Sequence, residues 1–298
     1  MKIFNWVLLL LLSLLWGGSF FFNEIILQDL PPFTLVFLRV SGGALLMWLY
    51  IILTSEPVVF SRKVIAGFIV LGTVNNFVPF SLIVWGQQFI EGGEASVLNA
   101  AAPLFGALIG HFVTRQERLT RNKIAGLLFG WGGVFLLMST SFSHFAGLQS
   151  LQGRAAVISA ALCYAIGATY GRRFKDISPK VLTAGMLSTS ALFLLPLVLL
   201  VDKPWSAVIH TPAILALVGL AFLSTAVAYL IYYFLLARVG VTNLLLVTFL
   251  IPVTALFLGI LFLGESPAWQ TFGGLFLITA GLLIIDGRIL NKKNVGGA

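Results

Sequence analysis

Long apolar segments restrict the possible folds of this chain more than any other feature. An α-helix rises 1.5 Å per residue and needs about 20 residues to cross about 30 Å of hydrocarbon, whereas transmembrane strands are about ten residues long and alternate in polarity. The apolar segments have the length of transmembrane helices. The first of them continues past any plausible signal-peptide cleavage site, so it is also read as a transmembrane helix. They predict an all-α integral membrane protein with ten transmembrane helices, at approximately 4–23, 33–53, 64–88, 94–114, 122–139, 154–171, 181–201, 212–236, 242–263 and 268–287.

Composition and charge agree with a lipid environment. Hydrophobic residues make up 59% of the chain and charged residues 9%, against about 25% charged residues in soluble domains. The net charge of +8 does not indicate nucleic-acid binding, because all but three of the 18 Lys and Arg residues lie at alternate ends of the segments. Basic residues in short loops stay cytoplasmic. Both termini are therefore predicted to be cytoplasmic, with only Arg39, Arg154 and Lys203 on the other side.

The chain also repeats itself. A shift of 148 residues superposes Glu265 on Glu117 and Tyr164 on Trp16, and a shift of 149 superposes Pro252 on Pro103. Fixed-period self-similarity indicates duplication. We predict one five-helix repeat at 1–140, a second at 153–288, and a cytoplasmic tail at 289–298.

An odd number of helices per repeat implies that the second repeat is inverted relative to the first. Inverted repeats are typical of secondary transporters, because two equivalent halves can exchange conformations around a central site. The sequence therefore favours a transporter that works by alternating access.

Several motifs carry a family resemblance over nearly the whole chain. They are "LLWGGSFF" in the first helix, "PPFTLVFLR" at the start of the second, a proline in the fourth and ninth, and "LGESPAWQTFGGLFLITAGLLII" in the last. The sequence resembles the EamA-type drug/metabolite transporters, although the first repeat has "RQER" where the second has "LGES". The resemblance implies a bacterial inner-membrane permease that exports amino acids or related metabolites. It also implies a cavity surrounded by helices 1 to 4 and 6 to 9.

Aromatic and amide side chains away from the span ends are the candidate substrate-binding residues. In lipid such groups must face protein or water. Interhelical hydrogen bonding and plain packing are alternative roles. The candidates are Trp16, Asn75, Asn76, Trp85, Asn99, Tyr164, Tyr229 and Tyr232.

Three prolines and two glutamates are expected to serve conformation rather than chemistry. A proline inside a helix removes one backbone hydrogen bond, so Pro79, Pro103 and Pro252 are candidate hinges or static bends. Glu117 and Glu265 precede the last helix of each repeat, where a carboxylate complements the helix dipole. We interpret them as structural caps, with proton or substrate handling by Glu265 as the alternative.

Charged residues are expected only toward the span ends, Arg39 among them. Without fixed cations the site is not expected to take phosphorylated substrates, and zwitterionic or uncharged ones are favoured. No catalytic cluster, metal site or cofactor is predicted, which disfavours an enzyme. A broad drug or organic-cation exporter and a channel-like facilitator remain as alternatives. The expected partners are the lipid bilayer and a small-molecule substrate, and a monomer is compatible with the sequence.

Overall fold

A computed structural model describes residues 3–113, 120–139, 147–174, 176–244 and 247–286. Within these ranges the chain is helical with no strand, which confirms the predicted all-α class. The described chain forms α1 (Ile3–Ile26), α2 (Pro32–Leu53), α3 (Arg62–Gly72), α4 (Val78–Gly86), α5 (Gly92–Asn99), α6 (Ala102–Phe112), α7 (Arg121–Ser139), α8 (Gly147–Gly171), α9 (Pro179–Leu197), α10 (Thr211–Val218), α11 (Ala228–Leu244), α12 (Val247–Leu258) and α13 (Trp269–Asp286).

Eight helical stretches in the described part of the chain are long and apolar enough to cross a membrane. They correspond to the first eight predicted spans. The ninth and tenth predicted spans correspond to two shorter apolar helices, Val247–Leu263 and Trp269–Ile285. A membrane crossing by these two, and the inverted relation of the repeats, stay predictions.

Wider π-helical turns interrupt several of the helices. One of them, Thr73–Phe77, joins α3 to α4, and Pro79 follows in the first turn of α4. Proline has no N–H to donate and its ring clashes with the carbonyl four residues earlier, which disfavours a regular α-helical turn here. Asn75 and Asn76 lie within this wider turn, in the middle of the span from Arg62 to Gly86.

The two prolines predicted as a matched pair have different effects on their helices. The fourth predicted span is broken at residues 100–101, between α5 and α6, and Pro103 lies in the first turn of α6. Pro252 instead lies inside α12, which continues on both sides of it. The two spans are therefore equivalent in sequence but not in backbone geometry.

Helices of the two predicted repeats pack on one another in pairs: α1 on α12, α2 on α9, α4 on α8 and α7 on α13. Small residues allow the close approaches. A methyl group on Gly86 would lie 2.8 Å from the carbonyl oxygen of Gly153, and Gly17 allows Thr254 Oγ1 to donate to the Ser13 carbonyl at 2.8 Å. Such contacts replace the hydrophobic driving force that lipid does not supply.

Polar contacts link the halves at the end of the molecule where α2 and α5 begin. The Arg154 guanidinium contacts the Glu94 carboxylate at 2.5 Å and 3.3 Å, with both side chains largely buried. The Asp202 carboxylate accepts from the backbone N–H and the hydroxyl of Thr34 at 2.6 Å and 2.8 Å. Hydrogen bonds and an ion pair therefore connect the two repeats at this end of the molecule.

Candidate functional site

A cavity of about 410 Å³ lies between the two predicted repeats, within the size range of about 300 to 1,000 Å³ typical of ligand pockets. Both halves line it, and neither α7 nor α13 contributes to its wall. This arrangement agrees with what the family resemblance implied about the helices around the cavity. The lining residues are Trp16, Ser19, Phe20, Asn23, Arg39, Asn75, Phe80, Ile83, Ser96, Asn99, Ala100, Ala102, Pro103, Tyr164, Ala168, Met186, Ser224, Tyr229, Tyr232, Tyr233, Thr248, Ile251 and Pro252.

One wall of the cavity is aromatic. In α11 the spacing of Tyr229, Tyr232 and Tyr233 places all three on one helical face, opposite Trp16 of α1. The Trp16 ring lies 6.4 Å from Tyr229, edge to face, and 5.5 Å from Tyr232. Tyr229 and Tyr233 are stacked at 6.2 Å. These rings give the wall a rigid apolar surface with hydroxyl groups at its edges.

Amide groups line another part of the cavity, and some of their acceptors have no partner within the described chain. The side-chain oxygens of Asn23, Asn99 and Ser224, all on the cavity wall, are buried without a hydrogen bond there. A buried polar atom left unpaired costs about 1 to 3 kcal/mol. Such atoms are expected where a ligand or water completes the bonding.

Arg39 is the only charged residue on the cavity wall as the described chain defines it, and it corrects a sequence expectation. Its side chain is 6% exposed, its Nε donates to Thr225 Oγ1 at 3.2 Å, and its guanidinium lies 3.9 Å from the Phe80 ring centre. Arg39 is seven residues into α2, which at 1.5 Å per residue is about 10 Å from the helix start. The expectation of a cavity without fixed cations was wrong, because this position is well inside the span.

Six of the eight predicted substrate-binding residues line the cavity: Trp16, Asn75, Asn99, Tyr164, Tyr229 and Tyr232. Asn76 lies behind the wall, where its amide donates to the Tyr229 hydroxyl at 3.3 Å. Trp85 is outside the wall and packs edge to face on Phe89 at 5.0 Å. A substrate-contacting role for all eight stays a prediction.

Two of the three prolines predicted as hinges line the cavity. Pro103 and Pro252 line the cavity, whereas Pro79 is buried outside its lining. Glu117 lies outside the described residues.

The cavity wall also contains residues that are not among the candidates predicted from the sequence, including Arg39, Phe80, Tyr233 and Ser224. For Tyr233 the helical spacing to Tyr229 was an available signal.

Glu265 is directed toward α5 and not toward the helix that follows it in sequence. Its carboxylate accepts from the Gly93 N–H at 3.2 Å, beside Glu24, which accepts from the Gly92 N–H at 3.1 Å. Gly264 has a left-handed φ of 69° and reverses the chain just before Glu265, so the side chain folds back over Gly259. Glu265 therefore caps the start of α5, whereas the sequence predicts that it caps the start of the last helix.

The environment of the Glu265 carboxyl favours its protonated form. Burial is the main cause that raises the pKa of Glu265, to about 8. A hydrogen bond with the neighbouring Glu24 carboxyl and the negative charge of that carboxyl raise it further within this value. Glu91 adds to the negative charge, and its carboxylate accepts from the Ser266 N–H at 3.3 Å. Within the described chain no group of His, Cys, Asp and Glu is arranged to hold a metal ion.

Residues 4–139 and 151–286 each match the EamA-like transporter family. The chain belongs to this family. As an EamA-like transporter it is a multi-pass membrane protein whose expected cargo is a small molecule. The two matched segments are the two halves that enclose the cavity.

Individual relatives cover almost the whole EamA-like chain. It is 29% identical to a probable amino-acid metabolite efflux pump of Salmonella typhimurium, over 93% of each chain. It is 24% identical to the uncharacterized transporter YoaV of Bacillus subtilis, over 91% of this chain and 93% of the relative. A solved crystal structure superposes with a TM-score of 0.68 at 20% identity, over 97% of this chain and 98% of its own, and this likeness concerns the fold alone.

Proposed function

We propose that this protein is a secondary transporter that exports amino acids or related small metabolites across the bacterial inner membrane by alternating access. The observation that carries the proposal is the central cavity lined by residues of both family-matched halves. The similarity to a probable amino-acid metabolite efflux pump supports the cargo class. In this proposal the ten helices form two inverted repeats, 1–140 and 153–288, both termini are cytoplasmic, and a monomer suffices.

A layer of hydrogen bonds at one end of the cavity supports alternating access. Asn23, on the cavity wall, donates to Gln87 Oε1 at 2.8 Å, and Gln87 Nε2 donates to the Phe20 carbonyl at 3.0 Å. Glu24, the next residue of α1, and Glu265 of the other half accept from the first two N–H groups of α5, those of Gly92 and Gly93. In the proposed cycle these contacts break when the cavity opens at this end. The helix break at residues 100–101 and Pro252 inside α12 are the candidate hinges of this cycle.

Counterflow in liposomes is the experiment that tests the proposal. Vesicles containing the purified protein are loaded with an unlabelled amino acid, and a trace of the labelled form is added outside. Alternating access predicts transient accumulation of label above its equilibrium level, because the excess unlabelled substrate inside competes with the labelled molecules for the site and slows their exit. A channel gives simple equilibration, and protein-free vesicles give the leak rate. Running organic cations in parallel separates amino-acid export from the drug-exporter alternative.

A further inference from the structure

Arg39 is a buried cation that its contacts within the described chain compensate only in part. It lies on the wall of the central cavity and its side chain is 6% exposed. Taking a guanidinium out of water is unfavourable unless an anion or several acceptors compensate it. The hydroxyl of Thr225 takes only the Nε hydrogen, at 3.2 Å, and the Phe80 ring covers one face at 3.9 Å.

No carboxylate forms an ion pair with Arg39 within the described chain. Eight of its nine acidic side chains hold other partners, and the ninth, Asp286, ends α13. The eight contacts are Glu24 with Gly92, Asp29 with His210, Glu56 with Lys180, Glu91 with Ser266, Glu94 with Arg154, Asp176 with Lys63, Asp202 with Thr34 and Glu265 with Gly93. The described residues of the cavity wall therefore carry one positive charge and no compensating negative charge.

The guanidinium is held so that its outer edge is available. The contacts to Thr225 and Phe80 involve Nε and the ring face, and these leave the fork of terminal N–H groups for another acceptor. Arginine presents that fork in the geometry that a carboxylate accepts bidentately. Tyr164 and Tyr229 line the same cavity as Arg39, and their hydroxyl groups are further hydrogen-bond donors for an anion bound there.

The rest of the wall suits the opposite charge. Asn23 and Asn99 of the cavity wall have side-chain oxygens that are buried without a partner within the described chain. A rotation of either amide presents its oxygen to an ammonium group, which has donors only. The faces of Trp16 and Tyr232 add cation–π attraction. A compact molecule with a carboxylate and an ammonium group would satisfy both sides of the cavity at once.

On this basis we propose that Arg39 binds the carboxylate of the substrate, and that the cavity selects amino-acid zwitterions over amines that lack a carboxylate. This inference rests on the proposed export function and names the group by which its cargo is recognised. Its structural alternative is that Arg39 serves only to hold α2 against Phe80 and Thr225.

The test compares three ligands that differ at one group: phenylalanine, phenylalanine amide and phenethylamine. Binding to the purified protein in detergent is followed by quenching of tryptophan fluorescence, and transport is followed in liposomes. A charged hydrogen-bond pair lost from a buried site predicts about 10- to 100-fold weaker binding of the amide and the amine. Because these measurements use the unaltered protein, they do not depend on the folding of any variant.

Arg39→Gln and Arg39→Lys then assign the effect to the side chain. Arg39→Gln should weaken phenylalanine binding about 10-fold or more without weakening phenethylamine binding, because an amine without a carboxylate gains nothing from the guanidinium and is repelled by its charge. Arg39→Lys should keep part of the preference. A matched control is Arg238→Gln, since Arg238 is exposed and lies over Phe234 outside the cavity wall.

The outcomes separate the inference from the function on which it rests. Equal binding and transport of all three ligands overturns the role of Arg39 and leaves the exporter standing. A carboxylate preference that survives Arg39→Gln in folded protein also overturns it. Failure to move phenylalanine or any other amino acid overturns the proposed function, and failure to bind any carboxylate overturns the inference together with it.

Discussion

Gly126 and Gly281 lie back to back where α7 crosses α13: a methyl group on either would lie 2.5 Å from the carbonyl oxygen of the other. Gly133 makes a similar approach to the Gly274 carbonyl, at 2.9 Å. This pairing joins the last helix of each family-matched half outside the cavity wall. The contact is a candidate pivot between halves, since small residues let backbones meet closely in lipid.

The first prediction concerns this crossing. Gly126→Ala should destabilise the folded protein by about 1 to 3 kcal/mol, because the added methyl meets backbone atoms that cannot move aside easily. Gly132→Ala on the same helix is the matched control, since its methyl meets nothing within 4 Å. Alanine is the better helix former, so the control should be neutral or slightly stabilising. Thermal unfolding in detergent measures both, and equal melting temperatures would contradict the close crossing.

A second prediction concerns the unpartnered amide of Asn99. Asn99→Leu should raise thermal stability by about 1 kcal/mol, because an unpaired buried oxygen is replaced by an apolar group of similar size. The same change should lower transport, since it removes an acceptor from the cavity wall. Higher stability with unchanged transport would exclude Asn99 from the substrate path.

How far the sequence predicts the site can be judged from particular residues. The sequence predicts Trp16 and Tyr229 as cavity residues because aromatic groups within a span must face protein or water, and both line the cavity. The position of Arg39 in the sequence predicts only that it lies toward the end of a span. The direction in which a helix turns a residue depends on the neighbouring helices, so a cation facing the cavity was not predictable from its position in sequence.

Backbone geometry limited the prediction at two other places. The repeat aligned Pro103 with Pro252, but only the first of them follows a break in its helix. Glu265 was expected at the helix that follows it, whereas the left-handed turn at Gly264 directs it to Gly93. Both outcomes depend on contacts between distant parts of the chain, which a local pattern does not encode.

The third prediction is a pH dependence of stability that involves Glu265. Its pKa is raised to about 8 in the folded protein from 4.5, so between these values the folded state holds a proton that the unfolded chain releases. Stability should therefore fall as the pH rises from about 5 to about 8. Glu265→Gln should flatten this part of the curve, because Gln stays neutral and can still accept from Gly93. It should also change stability more than transport per folded molecule.

Glu56→Gln is the control of opposite sign. Hydrogen bonds from Ser178 and Lys180 lower the pKa of Glu56, so its contribution is lost only as the pH falls below about 4. Melting temperatures of the parent and both variants between about pH 3 and about pH 8 provide the measurement. Identical slopes for the parent and Glu265→Gln would rule out a raised pKa of Glu265 in the folded protein.

The fourth prediction concerns topology. With five helices in each half, the connection between the halves and the C-terminal tail must lie on opposite sides of the membrane. Single cysteines at Ser143 and Asn294, both outside the described residues, are introduced in a Cys163→Ala background. An impermeant thiol reagent should label the first from outside and the second only after permeabilisation. Labelling of both from one side would refute the ten-helix arrangement.

The last prediction compares two tryptophans that the sequence predicts as substrate-binding residues, of which only Trp16 lies on the cavity wall. Trp16 faces the cavity beside Tyr229 and Tyr232, whereas Trp85 packs on Phe89 outside the wall. If the aromatic wall contacts substrate, Trp16→Ala should change the KM for amino acids with large side chains about 3- to 10-fold, the range expected for loss of one aromatic contact. The ranking among substrates should change with it, because small side chains do not reach the ring. Trp85→Ala should leave that ranking as it is, and any loss of stability in it is removed by normalising rates to folded protein. Transport of several amino acids by both variants in liposomes is the measurement. An unchanged ranking in Trp16→Ala with an altered one in Trp85→Ala would move the substrate path to the other side of α4.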